Sequence, residues 1–136
     1  MYVNFLAVFA CTVLAVVIGS VWFHPKVFGA EWIRLACPGG VPSNAGMTKK
    51  GMMKQYGMQI VASFLTAYVL AQFIVLANAY GLTEGIRVGF WVWLGFVAPI
   101  MLGGVLWEGK PWRLFFIAAG QYLVTFVVSG AILAIW

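Results

Sequence analysis

Hydrophobic positions along this chain gather into four long runs separated by short polar breaks. A helix rises about 1.5 Å per residue and a bilayer's hydrocarbon core is about 30 Å thick, so a crossing helix needs roughly 20 apolar residues. Val3–Phe23, Tyr56–Tyr80, Ile86–Trp107 and Trp112–Trp136 each reach that length. None alternates as a barrel strand would, and an unpaired amide in lipid costs several kcal/mol, so each run is expected as a helix. The pattern predicts an all-α integral membrane four-helix bundle, a single transmembrane domain over residues 1–136. The first run has no basic residue ahead of it and leads into Trp22, Phe23, His24 and Pro25, where a signal peptide would have a small-residue cleavage site; it is expected to remain as a span.

The polar breaks carry their own signals. The longest, residues 24–55, reads as a short interfacial helix over Lys26–Leu35, with Val27, Phe28 and Trp32 on one side. A turn-rich stretch from Cys37 to Gly46 follows. Thr48 is an N-cap candidate for a basic helical lead, with Lys49, Lys50 and Lys54, that runs into the second span. Glu108 and Gly109 mark a stop, and Lys110 and Pro111 the next start.

Composition agrees with lipid as the solvent: 64% of residues are hydrophobic, 8% are charged and the mean hydropathy is +1.00. Charge then gives direction. Of the eight basic residues, Lys26, Arg34, Lys49, Lys50 and Lys54 lie between spans one and two, and Lys110 and Arg113 between spans three and four, with Arg87 alone on the other side. The positive-inside rule puts both basic loops in the cytoplasm, with the two termini and the Gly81–Gly85 loop outside. Both ends stop near the membrane, so neither is expected to carry a soluble domain. Trp22, Trp32, Tyr56, Trp107 and Trp112 fall near the inner interface, and Tyr2, Tyr80 and Trp136 near the outer one, as aromatic belts do. The net charge of +5 is strewn over membrane-proximal loops, a distribution suited to anionic lipid headgroups and not to nucleic acid.

Small residues recur at helical spacing. Ala7, Cys11, Ala15 and Gly19 share one face of span one, Ser63, Ala67 and Ala71 one face of span two, and Gly95, Pro99 and Gly103 a stripe of span three. Such faces let helices approach closely. The spacing leaves open whether the partner is a helix of the same bundle or another subunit. Pro99 lacks a backbone donor and clashes with the turn before it, so a kink or local unwinding is expected there. Ile18, Gly19, Ser20, Val21 and Lys26 also align without gaps on Leu102, Gly103, Gly104, Val105 and Lys110, a short match compatible with a duplicated hairpin or with chance.

Catalytic chemistry has little to draw on: one histidine and three glutamates, none deep within a span. Glu84 with Arg87, and Glu108 with Arg113, are spaced for ordinary surface ion pairs. His24, Cys37, Met47, Met52, Met53 and Met58 are soft or borderline ligands in one region, but their spacing forms no defined metal set, and no catalytic, cofactor or metal site is expected. Gln72 and Gln121 are the notable polar residues at depth, with Thr66, Asn78, Thr125 and Ser129 as companions. They are read either as interhelical hydrogen bonds or as a polar path.

The run Trp22, Phe23, His24, Pro25, Lys26, Val27, Phe28, Gly29, Ala30, Glu31 and Trp32 resembles the Trp-Tyr-x-Pro-x-x-Phe-Gly-x-x-Trp signature of a small bacterial four-helix membrane family catalogued as domain of unknown function 1761. The resemblance continues through Ala67 to Ala71, Gly95 to Pro99, Glu108 to Trp112, and Gly120 with Tyr122 to Val124. Phe23 and His24 depart from the signature, as does a longer Gly/Pro connector. The resemblance implies a four-helix membrane domain in a bacterial inner membrane and no activity; Trp22, Pro25, Phe28, Gly29 and Trp32 carry over as architecture. With no catalytic group or charge deep in a span and with abundant small-residue seams, the expected function is that of a non-enzymatic structural or accessory subunit, in a homo-oligomer or a larger membrane complex. The alternative is a small-solute channel or facilitator built as a homo-oligomer around Gln72 and Gln121.

Overall fold

Four apolar helices long enough to cross a membrane organise the chain. The computed structural model describes residues 3–36 and 48–136, and every regular element among them is helical. In chain order these are α1 (Phe5–Trp22), a single π-helical turn (Pro25–Gly29), α2 (Ala30–Ala36), α3 (Lys49–Leu76), α4 (Leu82–Phe96), α5 (Ala98–Glu108) and α6 (Trp112–Ile135). The turn-rich stretch expected from Cys37 to Gly46, and Tyr2 of the outer aromatic belt, lie outside the described residues.

Local chemistry sets the boundaries. Asn4 opens α1, its side-chain oxygen accepting from the Leu6 and Ala7 amides. Thr48 caps α3 by accepting the Gly51 N–H at 3.2 Å, as its position suggested, so the basic lead is continuous with the second span. At 28 residues α3 is about 42 Å long, which carries Lys49, Lys50 and Lys54 beyond a 30 Å core. The span ends at Leu76, short of the expected Tyr80, because Asn78 takes a left-handed backbone (φ 51°) and reverses the chain. The next helix begins early, at Leu82, with the Glu84 carboxylate accepting the Tyr80 N–H at 3.2 Å. Glu84 is thus engaged in the turn and not, as its spacing suggested, with Arg87. Gly109, left-handed at φ 70°, ends α5.

Span three is broken, as Pro99 led one to expect. Val97 departs from helical geometry (φ −115°, ψ −57°) between α4 and α5. Pro99 has no N–H to give the Gly95 carbonyl, and the helix resumes with Met101 N–H to Val97 O at 3.0 Å.

The tightest packing lies between α4 and α6. Gly85 and Gly89 press against the Gly130 and Phe126 carbonyls, and a Cβ on any of the three glycines would overlap backbone. This Gly-x-x-x-Gly contact brings the two helix backbones together by van der Waals packing. It was not among the seams singled out by spacing. Val8 and Cys11 of α1 meet Ala67 and Ala71 of α3, and Ile74, Ala79 and Ala134 complete a buried layer. All of this lies in the half of the bundle that holds the Ala77–Gly81 turn, which is therefore closed.

Candidate functional site

The other half is open. There the α1 seam continues to Ala15 and Gly19, but none of the described residues fills the space beside it, because α5 packs on α4 and α6 and parts from α3 beyond the break. The result is a cavity of about 880 Å³ among α1, α3, α5 and α6. That is within the few-hundred to thousand Å³ typical of small-molecule sites. Phe96, Val97, Ile100 and Met101, the residues around the break, form one wall, and Ala67, Leu70 and Cys11 form the floor.

Neutral hydrogen-bonding groups line it. On α3 the Gln59 amide donates to Ser63 Oγ at 3.3 Å, and on α6 the Gln121 amide donates to Thr125 Oγ1 at 3.2 Å. These two pairs, each four residues apart on one helix, contribute to the same cavity from different helices. Each glutamine commits one N–H, and by its inventory keeps a carbonyl oxygen and a second N–H for a guest. The hydroxyls of Ser20, Thr66 and Thr125 are bonded to carbonyls of their own helices, at 2.8, 3.0 and 2.9 Å. Ser129 is buried beside Cys11, whose thiol donates to the Ser129 carbonyl at 3.7 Å. No Asp, Glu, Lys or Arg is among the lining residues.

Of the two glutamines read as a polar path, Gln121 is in the cavity wall and Gln72 is not; Gln59 takes its place. Periodicity could not find Gln59, because it lies close to the basic lead and reads as an interfacial residue. Ala7 and Cys11 are buried and Ala15 and Gly19 line the cavity, with Gln121 Nε2 at 3.8 Å from a Cβ built on Gly19. Ser63 lines the cavity while Ala67 and Ala71 are buried against α1. Gly95 and Pro99 are exposed, and among the described residues neither Gly95 nor Gly103 has a neighbour within 4 Å of where a Cβ would stand, so no helix of the described chain packs closely on those two glycines. Gly19 and Gly103, paired in the internal match, therefore occupy unlike surroundings.

Of the signature run, Phe23 and His24 line the cavity, and their neighbours fix the turn that carries them. His24 Nδ1 accepts the Lys26 N–H at 3.1 Å and caps the π-helical turn that Pro25 opens. Gly29 closes it, and a Cβ there would overlap the Phe23 carbonyl. Trp22, expected as a membrane-interface anchor, donates its indole N–H to the Ile117 carbonyl of α6 at 2.9 Å and rests against Phe28; Gly120 leaves room for its ring. Phe23 packs edge-on against Trp32, and Phe23 and His24 both face the cavity. Glu31 bridges Arg34 of α2 and Arg113 at the start of α6, holding the turn over the bundle. Arg113 thus pairs with Glu31 and Glu108 with Lys110, not with each other as their spacing suggested. Among the described residues no His, Cys, Asp and Glu cluster could hold a metal; Cys37 and Met47 of the soft-ligand region lie outside them.

Fold and cavity together define a multi-pass membrane protein, by its four apolar helices, with an interhelical pocket in one half of the bundle. Over residues 6–134 the chain matches the family model described as protein of unknown function (DUF1761), and it belongs to that family. No curated protein and no solved structure matches it.

Proposed function

We propose that this protein is a non-enzymatic membrane binding protein that holds a small uncharged molecule in the cavity between α1, α3, α5 and α6. The observation that carries the proposal is the neutral, hydrogen-bonding lining of a ligand-sized cavity that ends blindly against a close-packed half. An ion would meet no opposite charge there, whereas a carbonyl, hydroxyl or amide group would meet Gln59 and Gln121. A through-going channel has less support, since Gln72 stands apart from the cavity and the layer around Val8, Cys11 and Ile74 is closely packed. By the positive-inside rule the cavity belongs to the cytoplasmic half of a bacterial inner membrane.

A second reading, self-association or docking to a larger complex, is favoured by the bare Gly95, Pro99 and Gly103 stripe. Native mass spectrometry of the protein extracted gently from its own membrane separates the two. Retention of a small molecule that is lost in Gln121→Leu is the expected result. A stable homo-oligomer or hetero-complex that retains nothing would move the assignment to the accessory role.

A further inference from the structure

A second hollow of about 440 Å³ lies beside the cavity, in the groove between α3 and α4. Leu65, Val69, Phe73 and Val92 are its own walls, and it shares Thr66, Leu70, Phe96, Val97 and Phe126 with the main cavity, so the two adjoin along a seam that runs from α3 past the helix break to α6. Among its described lining residues the one hydroxyl, on Thr66, is already bonded to the Ala62 carbonyl. The groove is lined almost wholly by hydrocarbon, whereas the cavity adds the amides of Gln59 and Gln121 and several hydroxyls to a largely apolar lining. We infer that the guest is a single-chain amphiphile, its uncharged head between Gln59 and Gln121 and its hydrocarbon chain laid in the α3–α4 groove, passing at Phe96 and Val97.

The inference rests on the reading that the cavity binds a ligand, and it adds the ligand's class. A chain in the groove stays in apolar surroundings, so entry strips no hydrocarbon from lipid, while the head exchanges interfacial water for amide and hydroxyl partners. A charged head is disfavoured because no Lys, Arg, Asp or Glu lines either hollow, and His24, which does line the cavity, already uses its Nδ1 to accept the Lys26 N–H. The break places the passage: α4 borders the groove, α5 borders the cavity, and the turn at Val97 stands between them.

The test uses the full chain in phosphatidylcholine nanodiscs with a monoacylglycerol carrying a diazirine midway along its chain. After irradiation, adducts are mapped by peptide mass spectrometry. Adducts concentrated on Leu65, Val69, Phe73 and Val92, and lowered about three- to tenfold by Gln121→Leu or by Gln59→Leu, are expected, the scale of losing one or two neutral hydrogen bonds. Gln59 is exposed, so its substitution keeps the test valid if the buried Gln121 variant folds poorly. The same chain on a phosphate head is expected to show no such enrichment, and equal enrichment would overturn the assignment of an uncharged head. Adducts confined to cavity residues would overturn the groove and leave cavity binding standing. Adducts spread evenly over lipid-facing side chains such as Leu6, Val13 and Leu106, and indifferent to both substitutions, would overturn both.

Discussion

Gly85 and Gly95 stand on the same helix, α4, yet a side chain added to Gly85 would run into the Gly130 carbonyl, and one added to Gly95 would meet nothing within 4 Å. The two substitutions should therefore differ in sign. Gly95→Ala is expected to be neutral or to stabilise by up to about 1 kcal/mol, the helix-propensity gain of alanine. Gly85→Ala is expected to cost about 1–3 kcal/mol, because two backbones must separate to admit the methyl group. Unfolding titrations with sodium dodecyl sulfate in mixed micelles would measure both, and equal effects would contradict the α4–α6 contact. The same contrast explains why small residues were only partly informative in the sequence. Ala7, Cys11, Ala67 and Ala71 are buried where their spacing suggested, whereas Gly95 and Gly103, with the same spacing, have no described residue within 4 Å of where a Cβ would stand. Spacing reports which residues share a face, but the rotation of the helix decides what that face meets.

The elements that matter most are the irregular ones. Pro99 deprives the Gly95 carbonyl of its donor and lets α5 part from α3, which creates the cavity wall of Ile100 and Met101. Pro99→Ala should restore a continuous helix, lengthen the distance between spin labels placed at Phe90 and Leu106 as read by pulsed electron resonance, and reduce ligand retention. An unchanged label distance would show that tertiary packing, and not the proline, imposes the break. The π-helical turn after α1 is the other irregular element. Its proline and the glycine pressed on Phe23 were legible as a signature; the His24 cap, where the chain departs from that signature, and the place of His24 on the cavity wall were not.

At the scale of the whole molecule, one half of the bundle is closed by glycine and alanine contacts, and the other is open and held together at its rim. The rim contacts are the Trp22 indole on Ile117 and the Glu31 bridge to Arg113. Exposed ion pairs contribute only about 0–1 kcal/mol, so Glu31→Gln should leave global stability nearly unchanged. It should nevertheless release α2 from α6 and speed tryptic cleavage after Arg34, followed by mass spectrometry in nanodiscs. An unaltered cleavage rate would mean that the aromatic contacts alone hold the turn in place.

Four spans, the Thr48 cap, the Gly109 stop and the interruption at Pro99 were determined by the sequence itself, because each depends on a run length or on the conformational chemistry of a residue and its near neighbours. The partnership of Gln121 with Gln59 in place of Gln72, the use of Trp22 as an interhelical donor, and the choice of Gly85, Gly89 and Gly130 over Gly95 and Gly103 were decided only by the tertiary structure. In lipid every face of a helix is apolar, so hydrophobic periodicity, which tells a soluble helix's inside from its outside, carries almost no such information. Which side of each helix faces its neighbours is then settled by close steric fit between residues far apart in the chain.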